Sequence, residues 1–190
     1  MIHPIPEFDF LSPSTRERVD ADNAATDALD NEQAAVERET TALASMNPFE
    51  ADVDAVEKRS RKLRQQRHAN QKAAITLLQA RLLLIAAMQQ DRQQAEQDVA
   101  WQLQEARRQT TEALRGIGYG HLLANTAHFA RAQMEEIVSQ AQPVIAAAAR
   151  YQDLRSHLLS LSQLAIETRQ EITRLAEGMQ QSIKEAVAAV

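Results

Sequence analysis

The sequence predicts an all-α protein: an elongated antiparallel helical hairpin or coiled coil with an additional N-terminal helix. Three observations carry this reading. The 190 residues include only four Gly, five Pro and no Cys, against 34 Ala, 21 Gln and 17 Arg. Ala, Gln and Arg all favour helix. Residues 49–115 run for 67 positions without Gly or Pro, far longer than an ordinary globular helix. From Leu123 to Val190, alternate steps of four and three land on an apolar residue at 17 of 20 positions. That 3.5-residue period is the mark of coiled-coil packing. A disulfide framework is excluded without Cys, and a β-sandwich or barrel would need turn signals every ~8–12 residues.

The elements follow in order. Residues 1–13 hold three prolines and read as an extended leader. Residues 14–190 read as a single helical domain with helices about 14–46, 50–115, 121–142 and 143–190. Ser14 with Glu17 three positions later has the capping-box pattern. Val19, Ala28, Leu29, Val36 and Leu43 are the apolar anchors of a weakly amphipathic first helix. Asn47–Pro48 ends it, because proline disfavours helix in the residue before it. Gly116, Gly118 and Gly120 fall within five residues and form the turn between the two long arms. Pro143 lies inside the second arm, where the seam continues past it, so it reads as a kink or short break.

Two reflections give registers. One about Gly118 sets Ile75–Met88 against Ala148–Leu161, both Leu-rich. One about Pro48 sets the basic run Lys58–Lys72 beside residues 24–38, which hold Asp27, Asp30, Glu32 and Glu37. The modest net charge of −5 hides segregation: −11 in residues 1–57, +7 in 58–115 and −1 in 116–190. The acidic first helix is therefore expected to fold back on the basic part of the second.

Chemistry-bearing constellations are few. The five histidines form no His-x-x-x-His and no Glu-x-x-His pattern, so a metal centre is not expected. No Ser/His/Asp arrangement supports nucleophilic catalysis. Enzymatic activity, a cofactor and a small-molecule substrate are not expected. The glycine cluster has no preceding strand to make a phosphate-binding loop. The basic run, with seven Lys/Arg and no acid, lacks the interleaved aromatics of a single-strand binder.

Two segments carry interaction chemistry. Leu122–Val144 is apolar on more than one face, while its partner arm 92–114 is rich in Gln. A two-helix tip would leave apolar surface uncovered. The partner-binding residues expected there are Leu122, Phe129, Met134, Ile137 and Val138, with the lone Trp101 as anchor. The leader reads as a docking peptide through Ile5, Phe8, Phe10 and Leu11.

The function expected is non-enzymatic: an elongated helical protein mediating protein–protein assembly, as a structural subunit, scaffold or adaptor of a bacterial or phage complex. Its partner would be a second copy or a larger protein assembly. The alternative is an amphipathic coat on a membrane or polymer-granule surface. Nucleic-acid binding through residues 58–72 ranks third. Residues 1–11 lack the basic start and apolar core of a secretory signal. Ala73–Met88 reads as too short and polar to cross a bilayer. A cytoplasmic or virion location is therefore expected.

Overall fold

The computed structural model describes residues 2–46, 52–116 and 128–188. Among them are four α-helices and no strand: α1 (Pro13–Ala44), α2 (Val53–Leu114), α3 (His128–Ser139) and α4 (Gln142–Ala188). The all-α prediction with an additional N-terminal helix holds. The Asn47–Pro48 junction and the glycine cluster beyond Gly116 lie outside the described residues. The chain divides into two compact units. Unit 1 comprises Met1–Met88 and Gln163–Val190, and unit 2 comprises Gln89–Ser162.

Helix α1 is capped two residues earlier than Ser14 suggests. Ser12 is the N-cap; its hydroxyl accepts from the Thr15 N–H, and Pro13 follows at the first helical position. Pro is preorganised for that place, having no N–H to leave unpaired. The buried or half-buried face of α1 is Thr15, Val19, Asp22, Thr26, Leu29, Gln33, Val36, Thr40 and Leu43. These positions alternate steps of four and three throughout, a full coiled-coil seam. Ala28, expected as an anchor, is exposed. The buried hydroxyls are satisfied locally: Thr26 Oγ1 donates to the Asp22 carbonyl at 2.9 Å and Thr40 Oγ1 to the Val36 carbonyl at 2.7 Å.

In unit 1, α1 packs on α2, with the C-terminal part of α4 against both. Leu29, Ala74 and Leu78 are buried together with Ile2, and Leu77, Ile172 and Leu175 pack around them. Reflection about Gly118 would have placed residue 158 opposite Leu78; the structure brings Ile172 there. In unit 2, Arg92 reaches the Leu154 carbonyl, where the same reflection expected residue 144. The register is therefore shifted by roughly three to four helical turns. The second arm is interrupted at Gln140–Ala141. Pro143 sits in the first turn of α4, where the Val144 and Ile145 N–H groups bond the Ala141 carbonyl. It marks a short break rather than a bend within one helix.

The seam of α4 has the expected period, with Val144 and Ile172 on it inside as expected, and is offset by one residue between 154 and 168. Arg155, Ser162 and Arg169 were the three polar exceptions on the sequence seam. The buried residues are those just before them: Leu154, Leu161 and Thr168. They are seven apart, and they share a face with Val144.

Candidate functional site

The leader is clamped onto unit 1 by polar side chains. Ile2, Ile5, Phe8 and Leu11 are buried, every third residue, the period of an extended three-residue-per-turn chain. Pro4 and Pro6 stiffen that conformation by fixing φ. Asn23 on α1 reads the Ile5 backbone at both ends: its Oδ1 accepts the Ile5 N–H at 2.7 Å and its Nδ2 donates to the Ile5 carbonyl at 3.0 Å. Phe8 and Phe10 rings lie 5.1 Å apart.

The deepest charge in unit 1 is Arg81 on α2, only 2 % exposed. Its Nε donates to Asp22 Oδ2 at 2.7 Å, its Nη2 to Thr26 Oγ1 at 2.7 Å and its Nη1 to the His3 carbonyl at 2.6 Å. One guanidinium thus ties α2, α1 and the leader together. A planar fork with fixed donors suits this task better than a lysine. Arg81 was visible in the sequence as the charge interrupting Ala73–Met88, and Asp22 and Thr26 are one helical turn apart. Neither they nor Asn23 were expected to act together: the partners of Arg81 lie 55–78 residues away and that of Asn23 lies 18 away. Replacing Asn23 with Ala leaves both polar groups of the Ile5 peptide without their partner. It is expected to cost about 1–3 kcal/mol and to make the leader a faster target for limited proteolysis.

Ile5, Phe8 and Leu11 are therefore occupied within the protein's own fold, and Phe10 is half-buried. A leader free to dock elsewhere is not what the geometry presents. Its backbone would have to leave Asn23 and Arg81 first.

In unit 2, the residues expected at the tip separate. Met134 and Val138, one turn apart on α3, are buried; Ile137 is 38 % exposed and Trp101 on α2 is 65 % exposed. They do not form one outward surface. Leu122 lies outside the described residues, and of the Phe129 side chain nothing is described. Outward-facing apolar residues missed by the sequence reading are Ile145, Leu158 and Leu159, the last 76 % exposed. The 3.5-residue seam gave no reason to single out Leu159, which lies off it.

Beyond Trp101 on α2 comes an ionic run. Arg108 bonds Glu105 through two donors at 2.6 and 2.9 Å and Glu112 at 2.7 Å. The Arg108 guanidinium, with the Gln109 amide, holds the Glu105 carboxyl down to about 2, and Glu105 in turn raises Arg108. Arg92, buried on the same helix, pairs with Glu96 at 2.6 Å. Its Nε has no hydrogen-bond partner among the described residues.

The expected neutralisation of the basic run is mostly absent. Arg59 meets Glu39 at 2.7 Å across α1 and α2, and Arg61 meets Glu57 along α2. Asp27, Asp30, Glu32 and Glu37 make no ion pair among the described residues. Of the described helices, α2 holds one stretch apolar and long enough to cross a membrane by length and composition, a third of it buried in the fold. No protein-family model, curated protein or solved structure matches the chain.

Proposed function

We propose that the protein is a non-enzymatic helical subunit or adaptor of a larger protein assembly. The observation that carries this reading is the outward apolar set of unit 2: Trp101, Ile145, Leu158 and Leu159. Large apolar side chains scattered singly are ordinary on any surface. An exposed indole with three exposed leucine and isoleucine side chains in the same unit is richer than that, and tryptophan is a frequent anchor of protein contacts. The polar residues with the most elaborate geometry, Arg81, Asp22, Thr26 and Asn23, are already engaged in holding the leader. They support an architectural role for that cluster.

The test is the mass of the protein in solution, with capture of partners from its source. The wild type is expected to run as an oligomer or to retain a partner, and Trp101→Ala with Leu159→Ser to lose that mass while keeping its helicity. A monomer at every concentration, with nothing captured, overturns the proposal.

A further inference from the structure

The register of α1 on α2 has an electrostatic result. Asp22 and Thr26 meet Arg81, and Leu29 meets Ala74 and Leu78. Val36 and Glu37 share a cleft with Arg67 and Asn70, and Thr40 and Leu43 share one with Ser60, Leu63 and Arg64. The basic run 58–67 therefore lies beside the last part of α1. The acidic part of α1, residues 17–32 with six acids and one Arg, lies beside the apolar stretch around Leu78. The expected side-by-side arrangement is displaced along the helix pair.

The displacement decides whether the charges cancel. Arg64 and Arg81 are 17 residues apart on α2, or about 25 Å. The acids surrounding Asp22 lie at the Arg81 level. Screening at physiological salt has a length of about 8 Å, so the acids around Asp22 hardly sense the cations from Arg64 back to Lys58. Asp22 is spent on Arg81. Glu17, Asp20, Asp27 and Glu32 are exposed at one end of unit 1, alongside Arg16 and Arg18. Lys58, Lys62, Arg64, Arg67 and Lys72 are exposed toward the other. None of these nine acids and cations of the two ends makes an ion pair among the described residues.

We propose that unit 1 pairs with unit 1 of a second copy in antiparallel fashion, the acidic segment 17–32 of each lying against the basic run 58–72 of the other. A two-fold axis reverses the order of charge along the helices, so both contacts form at once and the interface is self-complementary. A nucleic acid or an anionic membrane would satisfy the basic run but would meet repulsion from the acidic segment. A second copy satisfies both. The surface is separate from the apolar set of unit 2; the inference rests on the proposed function only in taking assembly as the role.

The experiment is sedimentation of the full chain from about 0.05 to about 0.5 M salt, with charge-reversed variants. All substituted side chains are exposed, so helicity is expected to stay as in the wild type. The wild type is expected to be dimeric at low salt and to dissociate as salt rises. Lys62→Glu, Arg64→Glu, Lys72→Glu should be monomeric throughout, as should Asp20→Lys, Asp27→Lys. Mixing the two variants should restore a one-to-one dimer. A salt-sensitive dimer that persists in Trp101→Ala, Leu159→Ser supports this surface whatever becomes of the apolar one. A mass that does not respond to salt, variants that stay monomeric when mixed, or a monomer whose basic run captures a single-stranded oligonucleotide instead would overturn it.

Discussion

Replacing Arg81 with methionine is expected to destabilise the protein by about 3–5 kcal/mol, the usual result of removing one partner of a buried ion pair. Asp22 would remain buried with its carboxylate uncompensated, and the His3 carbonyl and the Thr26 hydroxyl would each lose a donor. The loss should appear in urea denaturation as a lower midpoint with little change in slope, because the same surface is exposed on unfolding. Adding Asp22→Leu should recover much of it, since two apolar side chains of similar volume often match or exceed a buried ion pair. If the single and double variants are equally destabilised, the pair is not the source of the loss.

The second large effect tests the phase of the α4 seam. Leu161 has no exposed surface. Truncating it to alanine should cost about 2–5 kcal/mol through lost burial and the cavity left behind. Ser162→Ala, one position along at a half-buried place, removes only a hydroxyl and should cost clearly less. The contrast is informative because the alternate-step pattern through Leu158, Ser162 and Ala165 would have placed Ser162 on the buried side. Thermal unfolding of the two variants side by side decides it.

How much of this was legible follows from particular residues. Helix class and the long arms were readable because Ala, Gln and Arg fill residues 49–115 without a breaker. The seam of α1 was hard to see because five of its nine positions are Thr, Asp or Gln. A hydropathy pattern registers Val19, Leu29, Val36 and Leu43 and passes over the polar members. Those members can be buried because the threonines bond carbonyls one turn back and Asp22 has Arg81, neither of which periodicity reveals. The α4 period was readable but its phase was ambiguous by one residue, since Leu158, Leu159 and Leu161 offer apolar choices on adjacent faces.

The registers failed for a different reason. A reflection assumes that both arms consume residues at the same rate from a point turn. The short break at Gln140–Ala141 violates that assumption. Of the interaction residues, Trp101 stands where a lone aromatic on a Gln-rich face would be expected to stand. Met134 and Val138 turned inward because α3 has only a narrow apolar stripe to bury, and they occupy it one turn apart. The leader was read as a docking peptide; its contacts are with the protein's own α1 and α2, through an Asn and an Arg that carry no local signature.

Unit 1 is discontinuous: its first 88 residues are completed by a segment that starts at Gln163. Ile2 and Leu29 share their cluster with Ile172 and Leu175, so a core contact spans almost the whole chain. During synthesis, unit 2 is the first to have all of its residues available, while the leader and α1 wait for α4. Such distant closures slow folding, because chain entropy is lost before the contacts are gained. The buried Arg81 knot, complete within the first 81 residues, offers the early segment a native anchor during that wait.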